Sequence, residues 1–461
     1  MSFLRNKYFK FSLAAISYTL WVIWVGSYWL LIGLAIIFDI YITKKVNWSF
    51  WKKRKGKNSS VIEWLDALIF AVIAVTFINI FFFQNFKIPT GSEEKTLLIG
   101  DHLFVSKVSY GPRIPMTPLS FPFTQHTLPI VHSKSYLNWI KWPYKRLKGF
   151  GSVKNDNAVV FNFPAGDTVA LEQQTRSYYS IVREVAENLR QNDLKAGNFP
   201  QSPEVYANLG RERVKQNYTI VVRPVDKEDN YIKRCVGIPG DTLLIVNGQV
   251  FINGKKQKHY SGMQSNYFIY TNGTRLNPRT LERMDIYKSD VYTIGLTEYM
   301  ITLTEANAKR IGQFKNVIKI EKIINPAGQY DYTIFPHDSR YPWNKDNFGP
   351  LWLPEKGETI PIDTSNISKY KRIIGAFEGN QLKISDGKIF VNGMETSEYT
   401  FKMGYYWMMG DNRDNSADSR FWGFVPENHI VGKPKYVWLS LDKEKKFLGK
   451  IRLKRTFLKI Q

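Results

Sequence analysis

Apolar residues are distributed along this chain in two ways, and the change falls near residue 86. Residues 11–42 carry a single charge, Asp39, and are rich in Trp, Leu and Ile. Residues 67–86 carry no charge at all. A bilayer core about 30 Å thick needs about 20 helical residues. Each stretch therefore predicts one transmembrane helix, over about 12–42 and 64–86. Two crossings inside the first would need about 40 residues, so one is expected there. A cleaved signal peptide fits less well, because its apolar region spans about 7–15 residues.

The segment between the two stretches, 43–60, holds Lys44, Lys45, Lys52, Lys53, Arg54, Lys55 and Lys57 and no acid, whereas the N-terminal tail has Arg5, Lys7 and Lys10. The positive-inside rule puts the loop in the cytoplasm. With two spans, both chain ends then face outward, and everything after Phe86 is extracytoplasmic.

Beyond the second span the apolar positions come in short runs punctuated by Gly, Asn, Asp and Pro, which predicts strands. They cover 103–108, 158–163, 218–222, 242–246, 250–253, 388–391 and 405–409, and the run around Lys233 is strand-like. Asn247-Gly248 and Asp386-Gly387 are hairpin turn signals. One helix is predicted over 177–190, with Ile181, Val182, Val185 and Leu189 on one face for docking on a sheet. "IKRCVGIPGDTLLIVNGQVFING" (232–254) resembles "YKRIIGAFEGNQLKISDGKIFVNG" (370–393), which reads as a duplicated β-unit. The resulting division is a membrane anchor 1–86, a β-domain 87–254 with a helical insert at about 165–217, an inserted region 255–369, the rest of the β-domain 370–442, and a basic tail 443–461.

Composition narrows the function. At 44% hydrophobic the chain is no disordered polymer. Its one cysteine, Cys235, excludes an intramolecular disulfide and a Cys-rich metal site. The net charge of +24 would suit nucleic acid. An extracytoplasmic body never meets that polymer, so anionic lipid headgroups are the better partner.

Three segments carry candidate chemistry. Ser92 sits in Pro-Thr-Gly-Ser, a tight turn directly after the second span. A serine needs a base to become a nucleophile. No Gly-x-Ser-x-Gly elbow surrounds Ser92, HExxH is absent, and none of the six histidines has a serine-hydrolase context. Lysine remains as a candidate base, and Lys233 lies in "NYIKRCVGIPGD". Its pKa of about 10.4 in water has to fall to about 8 or below, which desolvation achieves. "GDNRDNSADSR" (410–420) packs three aspartates, two arginines and two serines into 11 residues. As a calcium loop it fails, with Ser419 where Gly is required and Val425 where Glu is required. An ion-paired turn that supports another group fits better.

Four blocks together, "IPTGSEEKTLLIGDHLFVSK", "NAVVFNFP", "YIKRCVGIPGD" and "GDNRDNSADSR", follow two apolar spans in this order. In that order they resemble bacterial type I signal peptidase, the membrane-bound serine protease family of peptidase S26. The resemblance implies a mainly β fold: two N-terminal transmembrane helices, then an extracytoplasmic, mostly antiparallel β-domain of signal-peptidase type with a large α/β insertion. It implies Ser92 as nucleophile and Lys233 as general base. The Ser92 backbone N–H and the Thr90 hydroxyl would form the oxyanion hole. Ser416 would hydrogen-bond the Lys233 amine, with Asp418, Arg420, Asp411 and Arg234 bracing the turn. Phe86, Ile88, Leu97 and Ile232 would line shallow pockets for small side chains. The family needs neither metal nor organic cofactor. Its partners are signal-peptide-bearing precursors and the phospholipid bilayer, and its place is the bacterial cytoplasmic (inner) membrane, catalytic domain on the periplasmic side.

The chain departs from the family pattern at two positions. Glu93 follows the serine where Met is usual, and Lys95 stands where Pro is usual. These departures and the insert leave a rival reading, a catalytically silent, membrane-anchored assembly or binding protein on the same scaffold. A soluble Ser-Lys self-cleaving regulator that binds nucleic acid is a third. Lys95 and Lys371 are rival bases, and Cys235 is a rival nucleophile.

Overall fold

The computed structural model describes residues 6–51, 58–442, 445 and 447–460. Arg5, Lys52, Lys53, Arg54, Lys55 and Lys57 of the basic segments lie outside the described residues, as do 443, 444, 446 and 461 of the tail.

The apolar N-terminal part is helical but is not one rod followed by another. Helix α1, Lys7–Val25, ends at Gly26, whose φ of 66° is the left-handed cap that stops a helix. The chain then returns through helical turns from Tyr28 to Thr43. Phe11 packs on Phe38 with ring centroids 5.6 Å apart, and the Tyr18 hydroxyl donates to the Leu30 carbonyl at 2.7 Å. Rising numbers on one arm thus meet falling numbers on the other, an antiparallel hairpin. The expected single span over 12–42 is thereby corrected, because Gly26 breaks it in the middle. Helix α2, Ser60–Phe81, is apolar, and Phe81 is its one buried residue. Helices α1 and α2, at 19 and 22 residues, are each long and apolar enough to cross a bilayer.

After α2 the fold is mainly β. The principal sheet is built from β1 (Phe83–Lys87), β2 (Asp101–Ser106), β3 (Ala158–Asn162), β4 (Asn230–Gly237), β5 (Tyr405–Met409) and β6 (Ile430–Ser440). Its spatial order is β1-β2-β6-β3-β4-β5, with Val425–Pro426 beyond β5 and Leu458–Lys459 paired to β6. All these pairings are antiparallel. The sheet has apolar cores on its faces, one around Val159, Phe161, Cys235 and Met408, another around Ile88, Leu97, Leu103 and Val160.

The echo at 232–254 and 370–393 divides in two. Its hairpin half is real: Thr242–Val246 with Gln249–Ile252, and Leu382–Ser385 with Lys388–Val391, form matching meanders. Each turns on two residues with positive φ, Asn247-Gly248 and Asp386-Gly387, as a tight right-twisted hairpin requires. The preceding halves differ, since Lys233-Arg234 is strand whereas Lys371-Arg372 ends the helix Ile367–Arg372.

The helical insert holds two helices, α3 (Tyr178–Lys195) and α4 (Pro203–Asn217). Ile181 and Val182 of α3 pack with Val214 of α4 and Ala170, and Val185 is partly buried against them, so α3 docks mainly on another helix rather than a sheet, and Leu189 lies outside this cluster. The inserted region contains its own four-stranded sheet, Gln264–Thr271, Val291–Thr293, Glu298–Thr304 and Val317–Lys322, with a separate core around Ile269, Ile301 and Ile311. The chain rejoins the β-body earlier than residue 370, because Phe348–Trp352 pairs with Thr242–Val246.

Candidate active site

Ser92 lies in the loop joining β1 to β2. The loop is closed at its base by Ile88 N–H to the Asp101 carbonyl and Gly100 N–H to the Ile88 carbonyl, 2.9 and 3.0 Å. Inside it, the Leu97 and Thr96 N–H groups both bond to the Glu93 carbonyl, which makes a helical turn directly after the serine. Ser92 is half-buried and Thr90 exposed. A reacting carbonyl can therefore approach both.

Strand β4 sits between β3 and β5, so Lys233 projects from a position fixed on both sides. Its amine donates a hydrogen bond to Ser92 Oγ. The two residues are 141 positions apart in sequence. The lysine side chain is buried, and burial pulls the amine below its ordinary value against the opposing charges of Glu93, Asp418 and Asp411.

The loop between β5 and β6 holds this pair in place. Arg234, next to the lysine, makes two hydrogen bonds to Asp411, at 2.8 and 2.6 Å. Asp411 Oδ2 also accepts from Thr96 Oγ1 at 2.7 Å, which ties the serine loop to the same carboxylate. Asp418 accepts two bonds from the Arg420 guanidinium, at 2.9 and 2.8 Å, one from the Arg420 N–H at 3.2 Å, and one from Gly410 N–H at 3.1 Å. Burial alone would raise both carboxyls, but the arginine partners outweigh it and hold each below the usual carboxylate range. The loop also grips the serine backbone. Asn412 N–H reaches the Ser92 carbonyl at 3.2 Å, and Asn412 Nδ2 reaches the Gly91 carbonyl at 3.3 Å.

The inserted region fastens this loop from its far side. Gln264 N–H bonds the Asp411 carbonyl and Arg413 N–H bonds the Gln264 carbonyl, at 3.0 and 2.9 Å. Asn266 N–H bonds Asp414, and Asn415 Nδ2 bonds Thr302 Oγ1.

Most expected site residues converge here. Ile88 and Leu97 are buried in one apolar cluster with Leu103 and Val160, and Phe86 and Ile232 pack against it half-buried. Ser416 departs from expectation. It is buried beside the site, yet its hydroxyl has no hydrogen-bond partner among the described residues, and the bond to the Lys233 amine is not made. The amine is instead turned to Ser92 Oγ, with a Glu93 oxygen 3.9 Å away. The rival bases are elsewhere. Lys95 bonds the Asp285 carbonyl and covers the Tyr287 ring, and Lys371 lies on its helix. Cys235 is fully buried in the core, and burial pushes its thiol well up. Asn412 and Thr96 were missed as site residues. Asn412 lies within the acidic block and Thr96 four residues after the serine, but nothing in the sequence says which backbone either would hold. Among the described residues no cluster of His, Cys, Asp and Glu is arranged for a metal ion.

Comparison with known proteins places the chain in a family. The family model described as signal peptidase, peptidase S26, matches residues 61–296 and 395–439, well over half of the chain. The chain belongs to this signal peptidase family. Signal peptidase I of Haemophilus influenzae (strain ATCC 51907 / DSM 11121 / KW20 / Rd) is 27% identical over 396 residues, covering 84% of this chain and 72% of the relative. Signal peptidase I of Buchnera aphidicola subsp. Schizaphis graminum (strain Sg) is 24% identical over 421 residues, covering 88% of each. A short stretch is 65% identical over 37 residues to signal peptidase I of Aquifex aeolicus (strain VF5), covering 8% of this chain and 14% of the relative. The gap in the family match, 297–394, takes in much of the inserted region and the second meander. As a signal peptidase of this family the chain is a serine endopeptidase with signal peptidase I function.

Proposed function

We propose that the chain removes N-terminal signal peptides from secreted precursors, with Ser92 as nucleophile and Lys233 as general base. The observation that carries this reading is the hydrogen bond from a buried lysine amine to the hydroxyl of a half-buried serine. In the first step Ser92 Oγ bonds to the scissile carbonyl carbon as its proton passes to Lys233 Nζ. The Thr90 hydroxyl and the Ser92 N–H stabilise the oxyanion. The carbon–nitrogen bond then breaks, and Lys233 returns the proton to the leaving amine, the new N-terminus of the mature protein. Water hydrolyses the acyl-enzyme with Lys233 again as base, the Ser-Lys form of the triad logic. Phe86 and Ile232, half-buried over the buried Ile88 and Leu97, supply the apolar surface for small residues before the cleavage point.

The setting is the cytoplasmic membrane. The basic loop between the helical hairpin and α2 belongs to the cytoplasmic side, so α2 delivers the β-body to the periplasmic side. Strand β1 begins two residues after α2 ends, which keeps the serine loop close to the lipid surface. Arg234, Asp411, Asp418 and Arg420 hold the loop that positions Ser92.

Cleavage of a purified precursor by the detergent-solubilised chain tests the reading. Wild type is expected to release mature protein, and Ser92→Ala and Lys233→Ala to lose release by about 10³-fold or more, with unchanged circular dichroism. Normal cleavage by either variant refutes the dyad. A wild-type chain that neither cleaves nor is acylated at Ser92 by a β-lactam-type probe is a silent scaffold.

A further inference from the structure

Lys233 faces a second ionisable group besides the arginine-bound aspartates. Glu93, the residue directly after Ser92, is buried, and its Oε1 lies 3.9 Å from Lys233 Nζ. That oxygen has no hydrogen-bond partner among the described residues.

The charges packed around the pair can be assigned by element. Strand β4 contributes Lys233 and Arg234. The loop after β5 contributes Asp411, Arg413, Asp418 and Arg420. The serine loop contributes Glu93. Arg234 is taken by Asp411, and Arg420 by Asp418. Arg413 is turned to Gln257 Oε1 and Met263 Sδ, and the Glu93 carboxyl takes one bond from the Asp411 backbone N–H, so the unpartnered Oε1 of Glu93 and the amine face one another. An ionised carboxylate at this distance favours the ammonium form of the amine, and an ammonium cannot accept the serine proton.

We propose that Glu93 is a positioning residue for the reaction: its carboxyl and the Lys233 amine share one proton, and the pair, not the lysine alone, sets the pH at which the base becomes free. This rests on the Ser92–Lys233 reading above and deepens it. Burial, with the Asp411 charge adding to it, pushes the Glu93 carboxyl well above the usual carboxylate range. With the shared proton on the amine the site holds an ion pair, stabilised by the Glu93 carboxylate, and the base is occupied; with it on the carboxyl the amine is free. Conversion to the ion pair switches the base off. The sign follows. Removal of the carboxylate removes the group that holds the proton on the amine, so the free base persists to lower pH.

The test is the pH dependence of kcat/KM for precursor cleavage, whose acid limb reports the free enzyme's base. The full chain in detergent is compared with Glu93→Gln, which keeps the shape, and Glu93→Met, which replaces the carboxyl by an apolar chain of similar length. Folding of each is followed by circular dichroism. In a folded variant the acid limb is expected to move to lower pH by about half a unit or more. A limb that coincides with wild type, or moves to higher pH, overturns the inference. Lys233→Ala in the same assay separates the two levels. Normal cleavage by Lys233→Ala sinks the dyad itself. An inactive Lys233→Ala with coincident limbs for the Glu93 variants sinks only the role of Glu93.

Discussion

The ion pairs around the site make a stability prediction that is separate from the chemistry. Arg234 and Asp411 are both buried and bonded twice. Removing one partner of such a pair strands the other charge and costs about 3–5 kcal/mol. Asp411→Asn should therefore lower stability by about that amount at neutral pH, read by urea unfolding of the solubilised chain through tryptophan fluorescence. The pH dependence has a definite sign. Asp411 and Asp418 are held below the ordinary carboxylate range when folded. Their contribution is complete above the unfolded value near about 3.9 and is lost as pH falls through the folded one. Wild type should lose stability as pH falls below about 4, and Asp411→Asn should show a shallower loss. A variant as stable as wild type at neutral pH, with the same acid slope, would contradict this. At this scale Ser92, Lys233, Asp411 and Asp418 were legible because each sits in a dense local block. The proximity of Glu93 to the amine was not legible, because it depends on two loops and a strand brought together across the fold. The Ser416 hydroxyl was misplaced for the same reason: a block identifies a residue, but not the rotamer the packed site gives it.

Local pattern decided the elements, and its failures have causes. The two meanders could be read because Asn-Gly and Asp-Gly force one kind of turn. Strand β6 went unread although it lies between β2 and β3. It contains Gly432 and Pro434, and proline normally argues against an interior strand. The fold admits Pro434 at a register shift opposite Val105. Helix α4 was read only as part of a helical insert and not as an element of its own, although Ser202-Pro203 is a sound start, with proline at the first helical turn. Its weak apolar face hid it. That helix carries a sharp test in Gly210. Helix propensity favours alanine over glycine by about 0.8–1 kcal/mol. Here a Cβ would lie 2.8 Å from the Val182 carbonyl oxygen of α3, closer than atoms pack. Close approach should win, and Gly210→Ala should lower the melting temperature of the chain. A raised melting temperature would mean that α3 and α4 do not cross at this glycine.

For the whole molecule the decisive geometry is in the apolar N-terminal part. Trp21 and Trp24, near the C-terminal end of α1, pack on Phe77, Phe81 and Phe82 at the C-terminal end of α2. The two helices therefore run in the same direction. The turn after α1 is tied to the β-body, through Trp24 Nε1 to the Lys148 carbonyl at 3.0 Å and Lys145 Nζ to the Gly26 carbonyl at 3.3 Å. If α2 climbs from the cytoplasm to the β-body, α1 climbs with it, and Tyr28–Thr43 returns between them. Asp39 sits at the far end of that return, its carboxylate taking the Lys45 and Val46 N–H groups and Trp48 Nε1 at 2.9, 3.1 and 2.8 Å. The N-terminal cations Lys7 and Lys10 then share a side with Lys44 and Lys45, which the positive-inside rule favours over the opposed ends expected from two spans. The measurable consequence is an N-terminus in the cytoplasm. With Cys235→Ser removing the chain's own thiol, a single cysteine placed at Asn6 should resist a membrane-impermeant maleimide in intact cells and react once the cytoplasmic membrane is opened. A cysteine at Lys148 should react in cells whose outer layer alone is permeabilised. Labelling of both positions from outside would put the first helix in the opposite sense and restore the two-span arrangement.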